Sequence, residues 1–277
     1  MPLPAKTASP AKINTYLRVT QKREDGYHKI ESLFLPLMHL EDFIEIRPSD
    51  TLKITSDSRD IPLDDKNICW KAATEFAHHA GIAPDWEIVI SKKIPVAAGL
   101  GGGSSNAAAV LRLLNSCVKR IDNSVLHSIA AGIGADVPFF LDARPALVKG
   151  IGEIIEFLDF TPEIHLVLVN PRFPISAKWG YTNMIKMESD FTLADALENL
   201  RHNKVPFVLN DLQPAAEKKF PILTGIKNTL LKSGALSAGM SGSGPTMFGI
   251  CASRRIAESC ASAMKNHYKN AVEIFLS

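Results

Sequence analysis

Residues 95–109 read Pro95-Val96-Ala97-Ala98-Gly99-Leu100-Gly101-Gly102-Gly103-Ser104-Ser105-Asn106-Ala107-Ala108-Ala109. Four of the five residues from Gly99 to Gly103 are glycine, and two serines then open an alanine-rich apolar run. Glycine lets the backbone turn with positive φ and lets a ligand approach bare N–H groups. Ser104 or Ser105 reads as an N-cap, and the run from Asn106 to Leu114 is a strong helix former. A glycine loop feeding a helix N-terminus gathers unpaired N–H donors at the positive end of the helix dipole, which suits phosphate. A flexible turn before a helix is the plain alternative, and the density of glycine weighs against it. The loop is neither a Walker A, since no lysine lies in it or just after it, nor a dinucleotide fingerprint, since no complete G-x-G-x-x-G occurs in the chain. His-Arg-Asp and Asp-Phe-Gly are absent, which argues against a protein-kinase fold.

Working outward, 277 residues suit one large domain or two modest ones. An apolar content of 46% with 22% charged residues is that of a globular protein with a full core. The net charge of +2 is small and the basic residues are scattered, so no nucleic-acid tract is expected. Cys69, Cys117, Cys251 and Cys260 form no C-x-x-C and read as reduced thiols of a cytoplasmic protein. The stretch Met1–Lys6 lacks the apolar region of an export signal, and no apolar run has membrane-spanning length. His78-His79 sits in a helical segment with no third ligand nearby and reads as a solvated pair.

Period-two alternation predicts short strands at 43–47, 52–55 and 86–90, and helical periodicity covers 67–80, 105–118 and 123–131. Residues 132–138 read as a loop. A buried strand is expected at 165–170, then helices near 193–201 and 212–233, the latter with Ile222, Ile226 and Leu230 on one face and Gly234 as its stop. A strand at 246–251, a helix at 254–268 and a strand at 271–276 complete a split β-α-β pattern, with a boundary near residue 160.

Lys12 and Asn14 share one face of an extended segment, as a solvated edge or as part of a site. Asp136 abuts the apolar run Val137-Pro138-Phe139-Phe140 and reads either as a cap or as a functional acid. The second glycine-serine loop, at 237–246, serves a tight turn or forms a second wall around an anion. Tyr27 and His28 follow the turn signal Asp25-Gly26, and Trp179 and Tyr181 follow a Pro-rich segment as rings on a loop.

These segments together resemble the GHMP kinase superfamily. Its first motif is matched by Pro10-Ala11-Lys12-Ile13-Asn14, its phosphate loop by Pro95 to Ser105 with two extra glycines, and its third motif by Ser241-Gly242-Ser243-Gly244. The likeness extends over Arg23 to His28, Gly134 to Pro138 and Asn210-Asp211-Leu212, and looks greatest to the branch acting on a diphosphocytidyl methylerythritol. One departure is Ala177, where that branch commonly has threonine.

The resemblance implies an α+β fold of two domains. Residues 1–160 would be like the second domain of ribosomal protein S5 and bind ATP; residues 161–277 would be ferredoxin-like. It implies transfer of the ATP γ-phosphoryl group, with Mg²⁺, to the 2-hydroxyl of a small-molecule substrate of the non-mevalonate isoprenoid route. Asp136 would be the base and Lys12 would hold it ionised and favour the alkoxide. The ATP site would comprise Asn67 on the adenine side, Lys92 or Lys93 beside it, and the loop Pro95, Val96, Ala97, Ala98, Gly99, Leu100, Gly101, Gly102, Gly103, Ser104, Ser105 and Asn106, the Ser105 hydroxyl reaching phosphate or Mg²⁺. Asn14, Tyr27, His28, Tyr181, Ser241 and Gly242 would contact substrate, with Trp179 as the competing stacker. A monomer or weak homodimer without nucleic-acid or membrane partners is expected. The rivals are a homoserine or mevalonate type of kinase and a non-catalytic RNA-binding module on the S5-like fold.

Overall fold

The computed structural model describes residues 4–118, 121–202, 204 and 207–276; Met1–Leu3, the start of the stretch read for an export signal, lie outside it. The chain forms two compact units that interleave along the sequence. One takes the chain up to Ala11, Leu40–Val96 and Gly101–Arg144; the other takes Lys12–His39, Ala97–Leu100 and everything from Pro145 on.

Two strands run through both units: β1 (Ala5–Lys22) and β2 (His28–Pro48). They have 18 and 21 residues, so the short strand expected at 43–47 is the end of a much longer one. In the first unit Phe43–Pro48 of β2 pairs antiparallel with β4 (Trp86–Ser91), and β3 (Lys53–Ser56) pairs parallel with β4. Helices α1 (Ile68–Ala80), α2 (Gly102–Val118), α3 (Asn123–Ile133) and α4 (Phe139–Asp142) complete the unit. Helix α2 packs on the other three, and its residues Ala107–Leu111 have no exposed surface. That burial explains the unbroken apolar run after the serines.

In the second unit Ile30–Phe34 of β2 pairs antiparallel with β5 (Ala146–Gly150), and β5 pairs with β6 (Ile154–Phe157). Next come β7 (His165–Asn170), α5 (Ala177–Asn183), α6 (Leu193–Arg201), β8 (Leu209–Asn210), α7 (Gln213–Lys219) and α8 (Pro221–Lys232). The chain ends with β9 (Ser237–Met240), β10 (Met247–Cys251), α9 (Arg254–Tyr268) and β11 (Glu273–Leu276). Strand β8 pairs parallel with β1 at Tyr16 and Leu17. Strands β7, β9, β10 and β11 form an antiparallel sheet in the order β11-β7-β10-β9, with α8 and α9 packed on it. That order is the split β-α-β arrangement expected from the sequence.

The helix expected at 212–233 is two helices. Pro221 has no N–H to donate and disfavours helix at the residue before it, and Phe220 accordingly has φ −127° and ψ 82°. The restart at Pro221 makes Leu223, Ile226 and Leu230 the buried face, with Ile222 only half-buried. Gly234 follows the helix with φ +107°, as its role as a stop requires. Among the described residues no helix is long and apolar enough to cross a membrane.

Leu223→Ala should lower the unfolding free energy by about 2–5 kcal/mol, because its side chain is wholly buried. Ile222→Ala should cost roughly 1 kcal/mol, in proportion to its partial burial. Urea denaturation of the two variants checks the face; equal losses would contradict it.

Candidate active site

In the first unit the phosphate-type loop becomes helix at Gly102, earlier than either serine. Gly101 takes φ +71° and its carbonyl accepts from Ser105 N at 2.9 Å, so the serines lie inside the first turn and neither is the N-cap. Gly103 is exposed, and a Cβ there would meet only the Ile68 side chain, at 3.7 Å. Ser105 is buried, and its Oγ accepts from Ser9 Oγ at 2.8 Å instead of pointing outward. Asn106 Nδ2 donates to Ser9 Oγ at 3.0 Å and to Asp42 Oδ2 at 2.9 Å.

Asp42 has no exposed surface. Its carboxylate also accepts from the main-chain N–H groups of Lys93 and Ile94, at 2.7 and 2.8 Å, and pairs with the ammonium of Lys92. A buried carboxylate persists only when paired and hydrogen-bonded, and these donors meet that condition. Lys92 Nζ also lies 3.3 Å from Asn106 Oδ1. Asn67 is the N-cap of α1; its Oδ1 accepts from Cys69 N at 2.9 Å and its Nδ2 donates to Pro62 O at 2.7 Å. Burial pushes the Cys69 thiol up to about 12. Asp136 is half-buried in the turn between α3 and α4, where Val137 N donates to Gly134 O at 3.0 Å.

In the second unit Lys12, Asn14, Gly99 and the Ser241-Gly242 loop come together. Lys12 is 4% exposed; its main-chain N donates to Leu100 O at 2.9 Å. Its Nζ donates to Asn14 Oδ1 at 2.7 Å and lies 4.4 Å from the centre of the Phe34 ring. Asn14 Nδ2 in turn donates to Ser32 Oγ at 3.0 Å. The segment is therefore no solvated edge. Ser241 Oγ donates to Gly99 O at 2.9 Å, and Thr246 N donates to Ala98 O at 3.3 Å. Asn210 Nδ2 holds the third motif's loop by donating to Met240 O and Gly242 O, at 2.7 and 2.8 Å. Pro95 is half-buried, Val96 and Ala97 are exposed, and Ala98 and Leu100 anchor the loop inward.

The aromatic residues separate cleanly. Trp179 and Tyr181 are on helix α5, capped by Ser176, and not on a loop. Tyr181 stacks on His28, with ring centroids 5.4 Å apart and planes 19° apart. Trp179 meets Phe220 edge-on at 6.2 Å, with the Lys219 ammonium 4.4 Å from its ring centre. Tyr27, next to His28 in sequence, is 59% exposed, and its N–H donates to Asp25 Oδ1 at 3.1 Å. Desolvation, and secondarily the charge of Lys22, hold the His28 imidazole below its ordinary value of 6.5.

The profile described as GHMP kinases N terminal domain matches residues 67–144, and that described as GHMP kinases C terminal matches residues 187–270. A 4-diphosphocytidyl-2-C-methyl-D-erythritol kinase from Chlorobium phaeobacteroides is 38% identical, with 93% of each chain covered. The chain belongs to the GHMP kinase family. A crystal structure of a 4-(cytidine 5'-diphospho)-2C-methyl-D-erythritol kinase superposes with a TM-score of 0.84 at 31% identity, covering 98% of both chains. A homoserine kinase from Cytophaga hutchinsonii has a TM-score of 0.76 at 20% identity, covering 100% of this chain and 96% of its own, which is a likeness of fold alone.

Several residues that build this GHMP kinase carry no clear signal of their role in the sequence. Asp42 and Ser32 both lie on β2, directly after Glu41 and Glu31, and the sequence does not separate these buried residues from their acidic neighbours. Asn210 is visible as part of a motif, but its grip on Met240 and Gly242 needs the fold. His78 and His79 do have a third neighbour, against expectation: Glu75 offers a ligand atom within 4.8 Å of theirs, and all three side chains are exposed. Glu75 precedes the pair by about one turn of α1, and helical spacing brings it onto their side.

Gly99 has φ +77°, and a Cβ there would fall 2.1 Å from Ser241 O. Gly99→Ala should therefore destabilise the kinase by about 2–4 kcal/mol, combining left-handed strain with displacement of the facing loop. Gly103→Ala should leave stability unchanged or raise it by about 0.5–1 kcal/mol, since a helical glycine gains from a Cβ in open space. Melting temperatures of the two variants shifting alike would contradict this geometry.

Proposed function

We propose that this GHMP kinase transfers the γ-phosphoryl group of ATP to the 2-hydroxyl of 4-diphosphocytidyl-2-C-methyl-D-erythritol. The observation that carries the substrate assignment is the His28–Tyr181 stack, next in sequence to exposed Tyr27. Rings in that arrangement suit a pyrimidine base, for which homoserine and mevalonate have no counterpart. Relatives bearing that activity in their names, aligned over 93% of both chains, support the same reading.

Phosphoryl transfer asks the protein chiefly for positioning and for charge stabilisation. In this reading Asp136 takes the proton of the attacking hydroxyl, and Lys12 offsets the charge of the developing alkoxide. Main-chain N–H groups from Gly101 to Ser104 hold the phosphates at the start of α2, and Pro95 to Leu100 lead the chain into them. Asn67 lies on the adenine side, with Lys92 or Lys93 bordering it and Asn106 closing the loop. Asn14, Ser241 and Gly242 orient the acceptor. Among the described residues the one group of three His, Cys, Asp or Glu side chains with converging ligand atoms is on α1, so the first turn of α2 fits a nucleotide that brings its own Mg²⁺. When bound, that ion neutralises charge on the phosphates. We assign residues 1–160 to ATP and 161–277 to the C-terminal domain. Four free cysteines suit a cytoplasmic protein, and in this reading it acts alone or as a weak dimer.

The direct test is ADP release with the diphosphocytidyl substrate, free methylerythritol, homoserine or mevalonate supplied singly. Turnover only with the first is expected; equal turnover with homoserine would overturn the assignment. Asp136→Asn should lower kcat by roughly 10²–10⁴-fold with ATP affinity and melting temperature retained. Near wild-type turnover in that variant would remove Asp136 as the base. Tyr181→Ala should raise the substrate KM by about tenfold or more, the worth of a lost base stack, while leaving the KM for ATP alone.

The His28 ring adds a pH dependence. Its proton is taken up only below the ordinary imidazole value, so the folded protein binds fewer protons than the unfolded chain near that pH. Its contribution is present above the unfolded value and is lost as pH falls towards the folded one. The substrate KM should stay flat as pH falls through 6.5 and climb only at more acid pH. His28→Ala should abolish the climb, and a KM that rises at the same pH in both proteins would exclude His28 as its source.

A further inference from the structure

Arg18 stands on β1, ten residues before His28. Its two Nη atoms turn to one segment: Nη1 donates to Met187 O at 3.0 Å, and Nη2 donates to Ser189 O at 2.9 Å and to Phe191 O at 3.3 Å, while Nε donates to the Tyr16 hydroxyl of β1 at 3.4 Å. Asp211, which has no exposed surface, also holds this segment. Its Oδ1 accepts from Met187 N at 3.0 Å and its Oδ2 from Val19 N at 2.8 Å. Both polar groups of Met187 are thus held by charged side chains, one from β1 and one from the turn after β8.

Residues 184–192 connect α5 to α6 without helix or strand of their own. A chain of that kind has no ladder to satisfy its carbonyls, and Arg18 supplies three donors in a rigid planar fork. What this fastens is the exit of α5, six residues beyond Tyr181. Met184, between them, packs on the core of the same unit, so little slack separates the fastened peptide from the ring. The partner ring, His28, opens β2, which neighbours β1 in the sheet. Arg18 therefore ties the strand pair that carries His28 to the segment that carries Tyr181.

We propose that Arg18 is a positioning residue that sets substrate affinity by holding the Tyr181 ring in register with His28, with Asp211 as its counterpart on the same peptide. This rests on the reading of Tyr181 and His28 as the base-binding rings. The main-chain groups that Arg18 bonds belong to residues 187–191, and through that segment it acts on the Tyr181 ring.

The experiment is a double-mutant cycle in the full-length kinase, read as the substrate KM, the ATP KM and kcat. Arg18→Met should raise the substrate KM about tenfold, the scale of one lost base stack, with kcat and the ATP KM within about twofold. Arg18→Lys keeps the charge but loses the fork, and should recover part of that loss. In a Tyr181→Ala background Arg18→Met should add less than about twofold, because the two act on one contact. An unchanged substrate KM in Arg18→Met, or the same rise with and without Tyr181, would overturn the proposal. If Arg18→Met does not fold, Arg18→Lys measured in both backgrounds separates the same outcomes. Tyr181→Ala without effect on the substrate KM would instead remove the base-binding reading and this inference with it. Tyr181→Ala with an effect and Arg18 without one would remove the inference alone.

Discussion

The second unit depends on a contact between two segments of its main chain. At Gly99 the backbone lies so close to Ser241 and Gly244 that no side chain larger than hydrogen fits. The approach aligns Gly99 O with the Ser241 hydroxyl and brings Ala98 O to Thr246 N. On the other side Leu100 O takes the main-chain N–H of Lys12. The short run from Ala97 to Leu100 is thereby bound to separate parts of the chain, which is why an Ala97 backbone with φ +51° is tolerated. Left-handed strain at such a residue is about 1–2 kcal/mol, and it persists only where neighbours over-determine the conformation. Ala98 and Leu100, both buried, do that.

In the first unit the corresponding constraint is electrostatic. Asp42 places a carboxylate where no surface is exposed to solvent, and the arrangement around it follows from that cost. Two main-chain N–H groups, the Lys92 ammonium and the Asn106 amide converge on one carboxylate. Asn106 carries the network onward to Ser9 and Ser105, so the first turn of α2 is bonded to β1 and to the segment after β4. The exposed glycine of that turn consequently sits on a helix whose side chains are already committed inward. A helix start held this way keeps its N–H groups fixed in direction, which is what recognition of an anion by main chain requires.

The aromatic residues show how secondary structure settles a choice that spacing leaves open. Two residues along a helix turn through roughly 200°, so side chains at that spacing face opposite ways. On α5 this sends Trp179 against Phe220 and Lys219, and sends Tyr181 to His28. Had the segment been extended, period two would have put both rings on one face. Whether the residues were helical could not be read locally, because the preceding Asn170-Pro171-Arg172-Phe173-Pro174 carries strong loop signals.

By itself the sequence determined those features whose physics is local. The glycine loop leading into an alanine-rich helix, the helices at 193–201 and 254–268, the strand at 165–170 and the split β-α-β order all stand where periodicity and capping put them. Each rests on residues within a few positions of one another. The tertiary structure decided what depends on distant partners. The start of α2 at Gly102, the long reach of β1 and β2, and the joining of Lys12–His39 with the chain from Pro145 on are of this kind. So are the fates of the polar residues. Lys12 meets Asn14 and Phe34, Asp42 meets Lys92 and Asn106, and Arg18 meets three carbonyls about 170 residues away. A buried polar group needs a partner, and the chain alone states the need without naming which residue answers it.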